Sequence, residues 1–167
     1  MLRLIGILDN ALAAILKPVV ALGMAALIAV ITLQIVSRVF FTAVGWTEEV
    51  ARFLMIWLTF LGAALAWHQG KHIAVTFLAD AVPRTPRHII QITALSVTCG
   101  FAVALAWLGL AYMDMSSFQR SPALRIQMTY IYAVIPLSAG LIAWFSLSDL
   151  LRLLFGQRLD GQGGMPQ

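Results

Sequence analysis

The stretch Trp46–His72, which reads WTEEVARFLMIWLTFLGAALAWHQGKH, decides how the rest of this chain folds. A charged cluster opens it, an apolar run from Phe53 to Trp67 follows, and polar residues end it. Counted from Thr47, about 20 residues at a rise of ~1.5 Å each give ~30 Å, the thickness of a bilayer's hydrocarbon core. The stretch therefore predicts a transmembrane helix whose first turn carries charge at the membrane surface.

The start of this helix has residues that suit a helix N-terminus. Thr47 offers a side-chain oxygen to the first-turn amides, and the helix dipole favours negative charge at Glu48 and Glu49. Arg52 follows them by four and three positions, so both carboxylates are expected to reach it on one face. Two interpretations stay open: the charges anchor the helix at the interface, or they bind a partner chain.

Small residues in the middle of the same helix predict close contact with a second helix. Gly62 and Ala66 are four positions apart, and small side chains at this spacing let another backbone approach. Trp46 and Trp67 flank the run, as expected for the aromatic belts at the two surfaces of a membrane.

The composition places the whole chain in a membrane. Of 167 residues, 61% are hydrophobic and 11% are charged, which is more apolar than a soluble domain requires. The net charge of +4 is interpreted as a topology signal, and no nucleic-acid motif is present. The single cysteine, Cys99, excludes an internal disulfide. No cleavable signal peptide is expected, because Asp9 and Asn10 interrupt the first apolar segment.

We therefore predict an all-α integral membrane protein with four transmembrane helices and a short N-terminal amphipathic helix in the interface. Lys17–Pro18 is expected to form a boundary or kink, and Pro136 a kink within the last span. The predicted segments are an interfacial helix over 1–17, a four-helix domain over 18–155 with spans at about 19–41, 47–67, 89–113 and 128–155, and a disordered polar tail over 156–167.

Four spans place both termini on one side of the membrane. Seven of the 11 Lys and Arg residues fall on that side, and the other four share the opposite side with Glu48, Glu49 and Asp114. Because positive charge accumulates in cytoplasmic segments, both termini are expected to be cytoplasmic.

Residues that could carry chemistry are few. His68 and His72 are four positions apart and His88 lies on the same side, a spacing compatible with a metal or a haem. No cysteine or carboxylate is near them in sequence, so interfacial polar residues are the favoured interpretation and no cofactor is expected. An ion-coupled transporter usually has an ionisable group deep in the membrane, whereas here every charge lies within about two turns of a span end. The residues favour an accessory subunit over an enzyme, with a stand-alone homodimeric transporter as the alternative.

A set of short motifs in a fixed order adds to this interpretation. They are Gln34-Ile-Val-Ser-Arg38, Trp46-Thr-Glu48-Glu49-Val-Ala51-Arg52, Trp57, Phe60-Leu-Gly62-Ala63-Ala64, Gly70-Lys-His72-Ile73, Ser121-Pro122-Ala123-Leu124, and Tyr132 to Pro136. The set resembles the small membrane subunit, the Q-type or DctQ-like family, of tripartite ATP-independent periplasmic (TRAP) transporters. Arg125-Ile126-Gln127-Met128 departs from the family pattern, in which many members have a proline before the methionine.

The resemblance implies a small, non-catalytic scaffold subunit of a sodium-coupled transporter that imports organic acids (carboxylates) across the bacterial inner membrane. The implied partners are a large elevator-type membrane subunit in a stable complex, a periplasmic binding protein in a transient one, and membrane lipids. The residues expected at the large-subunit or lipid contact are Gln34, Arg38, Trp46, Glu48, Glu49, Arg52, Trp57 and Gly62. Those expected on the docking side of the binding protein are Ser121, Pro122 and Arg125.

Overall fold

The computed structural model describes residues 2–40, 45–70 and 84–154. The helices are α1 (Leu2–Phe40), α2 (Gly45–Gly70), α3 (Arg84–Met115), α4 (Met128–Tyr132) and α5 (Val134–Leu154). Four segments are long and apolar enough to cross a membrane, namely Ile5–Phe40, Gly45–Gln69, Gln91–Met115 and Met128–Leu153. The predicted class, an all-α protein with four membrane-spanning helices, is confirmed. The predicted tail, 156–167, and His72 lie outside the described residues.

The N-terminal segment does not form the separate interfacial helix predicted over 1–17. α1 runs without interruption from Leu2 to Phe40, and Pro18 lies inside it. A proline removes one backbone hydrogen bond, which a membrane helix tolerates when neighbouring groups compensate. Side-chain contacts of Asp9, described below, hold this first part of α1 against α5.

The second helix begins slightly earlier than the sequence predicts. α2 starts at Gly45, so Thr47 lies within the first turn instead of preceding it as an N-cap. Thr47 is fully buried there, and Trp46 is 44% exposed.

The main contacts between the four spans follow the order α1, α2, α5 and α3, and α1 also contacts α5 directly. α2 lies between α1 and α5, and α3 packs along the other side of α5. A buried cluster where α1, α2 and α5 meet contains Leu16, Leu61, Val134 and Phe145, and α3 buries Leu95 and Ala102. Each outer helix consequently leaves much of its apolar surface facing outward, as expected for a chain surrounded by lipid.

The last span is interrupted near Pro136. α4 ends at Tyr132, Ala133 separates it from α5, and the two helices together form the span Met128–Leu153. A proline ring clashes with the carbonyl four residues earlier, which here belongs to Tyr132. Tyr132 packs edge-on against Tyr112 of α3, with ring centroids 4.8 Å apart.

Gly109 allows α3 to approach this interruption closely. A Cβ placed on Gly109 would lie 3.0 Å from Cδ and 3.1 Å from the backbone nitrogen of Pro136. Gly100, on the same helix, has open space at the corresponding position. A side chain at Gly109 therefore pushes against backbone that has little room to move.

This difference predicts the stability of two matched variants. Both Gly109→Ala and Gly100→Ala gain about 1 kcal/mol of helix propensity. Only Gly109→Ala is overpacked, at a cost of about 1–3 kcal/mol. Thermal unfolding in detergent should show Gly100→Ala at or above the wild-type midpoint and Gly109→Ala below Gly100→Ala. Equal midpoints for the two variants would contradict the close approach.

Candidate functional site: two buried carboxylates and an open helix face

Glu49 joins the first turn of α2 to the loop between α3 and α4. Its Oε1 accepts a hydrogen bond from the backbone N–H of Ala123 at 2.8 Å, and its Oε2 accepts one from Leu124 at 3.0 Å. The residue is only 9% exposed. Hydrogen bonds from backbone amides to a carboxylate are charge-assisted and about twice as strong as neutral ones. Glu49 therefore fixes the position of this loop on the bundle.

The loop over 116–127 also has hydrogen bonds of its own. Ser121 N–H donates to the carbonyl O of Ile126 at 2.9 Å, and Arg125 N–H donates to the carbonyl O of Ser121 at 3.1 Å. An antiparallel bridge joins Arg120 to Gln127. Arg125 adopts φ 56°, the left-handed region that a non-glycine residue enters only when its surroundings hold it there. The loop thus has one defined shape.

Glu48 and Glu49 are adjacent in sequence but have different environments. Glu48 forms an ion pair with Arg52 at 3.7 Å, and both side chains are more than 60% exposed. Both carboxylates were expected to reach Arg52 on one helix face. The structure instead directs the oxygens of Glu49 to the loop amides. The exposed pair contributes at most about 1 kcal/mol to stability, so its charges are available at the surface.

One face of α2 is left uncovered by the other residues that the structure describes. Exposed residues three or four positions apart form this open face: Glu48, Arg52, Met55, Thr59, Ala63 and Ala66. Gly62 lies beside them, and a Cβ added there would meet no atom within 4 Å. Among the described helices, none therefore packs closely on the small residues predicted to let a second helix approach.

The remaining predicted interface residues lie in different environments. Trp57 is half-buried and packs against the core of the bundle, so it supports the open face from within. Gln34 is half-buried near the end of α1, where its carbonyl O accepts a hydrogen bond from Ser37 at 3.0 Å. Arg38 is exposed one turn later. Pro122 and Arg125 are exposed on the loop that Glu49 holds, and Ser121 is buried within it.

A second carboxylate, Asp9, is buried at the opposite end of the bundle. Its Oδ1 accepts a hydrogen bond from Trp144 Nε1 at 3.0 Å, and its Oδ2 accepts one from Ser148 Oγ at 3.0 Å. Arg152 completes the set with an ion pair of 2.7 Å to Oδ2. Asp9 is 1% exposed. The first helix is thereby joined to the last one.

Sequence reasoning missed this cluster. Asp9 was expected to lie largely off the apolar stripe of an interfacial helix, whereas the structure buries it against α5. A signal was present on α5, because Trp144, Ser148 and Arg152 are spaced four apart and present three donors on one face. Which acceptor meets that face depends on the packing of a helix that lies more than a hundred residues earlier in the chain.

His68 and Cys99 occupy ordinary packing positions. The ring centroid of His68 lies 4.7 Å from that of Phe145. Cys99 is half-buried in α3. Within the described ranges, no group of three or more His, Cys, Asp or Glu residues could hold a metal ion.

The Asp9 cluster predicts a large loss of stability for a small chemical change. Asp9→Asn leaves the guanidinium of Arg152 without its charge partner, which should lower the free energy of unfolding by about 2–3 kcal/mol. Glu48→Gln makes the same change in the exposed pair and should lower it by less than about 1 kcal/mol. Unfolding followed by tryptophan fluorescence compares the two variants. Similar losses for both would show that burial of the Asp9 pair does not matter.

The fold and this site define a small multi-pass α-helical membrane protein with an uncovered helix face. A sequence model described as "Tripartite ATP-independent periplasmic transporters, DctQ component" matches residues 27–156. The chain belongs to this family, and its role is that of a TRAP transporter small permease subunit. The resemblance found in its motifs is confirmed.

Three relatives illustrate the similarity. The isethionate TRAP transporter permease protein DctMQ of Oleidesulfovibrio alaskensis is 34% identical over 143 residues, which are 80% of this chain and 22% of that protein. The sialic acid TRAP transporter small permease protein SiaQ of Vibrio cholerae is 29% identical over 140 residues, 80% of this chain and 79% of that protein. The C4-dicarboxylate TRAP transporter small permease protein DctQ of Rhodobacter capsulatus is 24% identical over 119 residues, 70% of this chain and 51% of that protein.

Proposed function

We propose that this chain is the non-catalytic scaffold subunit of a sodium-coupled TRAP transporter that imports organic acids. In this proposal it packs on the large membrane subunit, anchors that subunit in the bacterial inner membrane, and has both termini in the cytoplasm. The relatives are named for isethionate, sialic acid and C4-dicarboxylates, all of which are organic anions. Their names support organic acids as the substrate class.

The open face of α2 is the observation that carries the proposal. A helix face lined by Thr59, Ala63 and Ala66, with Gly62 beside them, lets another helix approach to backbone distance. In lipid, helix association depends on such packing, because lipid tails are as apolar as leucine side chains. The face therefore suits a membrane helix of a partner chain.

Charged and polar residues near one end of this face give the contact a fixed register. Glu48 and Arg52 are exposed and pair with each other at 3.7 Å, a geometry that can exchange for partners on another chain. The proposed contact residues are Gln34, Arg38, Trp46, Glu48, Arg52 and Gly62. Glu49 and Trp57 are proposed to support the contact mainly from inside the bundle. Lipids border the remaining apolar surface.

The loop over 116–127 is proposed to lie on the periplasmic side. It is at the same end of the bundle as the start of α2, because Glu49 contacts it. If the termini are cytoplasmic, an odd number of spans separates the N-terminus from this loop. Pro122 and Arg125 then face the compartment of the binding protein, and Ser121 lies buried in the same loop. The binding protein is proposed to dock on this side transiently.

Two leucine variants test the open face. Gly62→Leu and Gly100→Leu add the same side chain at helix positions where an added Cβ would meet no atom within 4 Å. Only Gly62→Leu fills the proposed contact, so it should reduce binding of the large subunit by about tenfold, the effect of about 1.4 kcal/mol. The measurement is co-purification of the large subunit with the tagged chain from gently solubilised membranes.

The outcomes of this experiment separate three cases. Loss of the large subunit with Gly62→Leu and retention with Gly100→Leu supports the α2 face. The reverse pattern places the contact on α3 and overturns the assignment of the face. If the wild-type chain is recovered alone or as a homodimer, and takes up substrate when reconstituted by itself, the stand-alone transporter replaces the scaffold.

A further inference from the structure

The carboxylate of Glu49 binds backbone N–H groups of the loop over 116–127. The turn from Ser121 to Arg125 is closed by the hydrogen bond between Arg125 N–H and the Ser121 carbonyl O, 3.1 Å long. Successive backbone N–H groups in such a turn form a concave site for an anion. The carboxylate of Glu49 occupies that site through Ala123 and Leu124. The shape of the loop therefore depends on a residue more than seventy positions earlier.

The shaped loop presents apolar and cationic side chains outward. Phe118 is 95% exposed and Ile126 is 41% exposed. Arg120 and Arg125 are exposed as well, and neither forms an ion pair with a carboxylate in the part of the chain that the structure describes. The bridge between Arg120 and Gln127 places the two arms of the loop side by side, so these exposed residues lie close together on one short loop. We call Phe118, Arg120, Arg125 and Ile126 the loop surface.

We propose that Glu49 is a positioning residue that shapes the loop surface for docking of a soluble protein with acidic groups around an apolar recess. This inference rests on the proposed function, in which the binding protein docks on this side of the transporter. It assigns to Glu49 a role inside the chain, and it assigns the direct contact to Phe118, Arg120 and Arg125.

The defined shape of the loop favours a protein partner over the lipid surface. A loop that only inserts into head groups requires apolar and cationic side chains, but it does not require one backbone conformation. Here the carboxylate of Glu49, the bridge at Arg120 and the left-handed backbone of Arg125 together hold one conformation. Backbone conformations of this kind persist where the structure around them over-determines the site, as at ligand clamps.

The two exposed arginines favour an acidic partner. Opposite charges on two surfaces speed their association and select the correct partner, and their effect weakens as the salt concentration rises. The partner proposed here therefore carries carboxylates opposite Arg120 and Arg125. Phe118 supplies the aromatic anchor that well-packed interfaces commonly contain.

The experiment separates charge from loop shape with two variants. Arg120→Gln combined with Arg125→Gly removes both cations, while glycine adopts the left-handed conformation at position 125 without strain. Glu49→Gln keeps both cations but replaces one acceptor oxygen with an amide that opposes a backbone N–H donor. Asp114→Asn, which changes an exposed carboxylate at the end of α3, is the matched control.

The measurement is the affinity of the transporter's own binding protein for the complete complex of this chain and the large subunit in nanodiscs. Complexes that contain the wild-type chain, either variant or the control are compared by biolayer interferometry at low and high salt. The arginine variant should bind about tenfold more weakly than wild type at low salt and lose its salt dependence. Glu49→Gln should bind about tenfold more weakly and keep a salt dependence, and Asp114→Asn should not bind more weakly than wild type.

Each other outcome overturns a stated part of the inference. If the arginine variant binds with wild-type affinity, the loop surface does not take part in docking. If that variant is then retained more weakly on anionic vesicles, the loop surface binds the membrane instead. If Glu49→Gln binds with wild-type affinity, Glu49 does not position the loop for docking. The same conclusion follows if Glu49→Gln fails to co-elute with the large subunit. A wild-type complex that does not bind the binding protein overturns the proposed function itself.

Discussion

Each end of the bundle is held by a carboxylate whose two oxygens accept hydrogen bonds from another part of the same chain. Asp9 accepts from the side chains of α5, and Glu49 accepts from the backbone of the loop over 116–127. A buried charge without donors is costly in a protein interior and more so in lipid. The helices must therefore pack in the arrangement that supplies these donors. The two contacts connect α1 with α5 and α2 with the segment between α3 and α4.

These polar contacts contribute more to the choice of helix arrangement than they would in a soluble bundle. The buried apolar core is small, with Leu16, Leu61, Val134 and Phe145 at its centre. Large apolar residues such as Trp107, 76% exposed, face outward, where they gain little from packing within the chain. Because a lipid environment offers no hydrophobic drive for helices to associate, hydrogen bonds and close steric fit select the arrangement. Gly109 against Pro136 is an example of such a fit.

The spans followed from the sequence because length and hydropathy depend only on local composition. Gly62 and Ala66 were likewise identified from spacing alone, and the structure leaves their face open. The roles of Glu48 and Glu49 could not be distinguished from sequence. The two residues are adjacent and chemically alike, and only the position of Ala123 and Leu124 in the folded chain separates them. Asp9 was misplaced for a related reason. Periodicity within 1–17 describes one helix in isolation, whereas its burial depends on the donors of α5.

α1 is the longest of the described helices, and its length exceeds the thickness of the hydrocarbon core. Its 39 residues, at a rise of ~1.5 Å each, extend over ~58 Å, against ~30 Å for the hydrocarbon core. Because α1 is fixed to α5 at Asp9, these two helices keep one relative position in the membrane. Part of α1 therefore extends beyond the hydrocarbon core, or α1 tilts or kinks, or the surrounding lipid thickens. A tilt of α1 carries α5 with it, so hydrophobic mismatch at one helix acts on both.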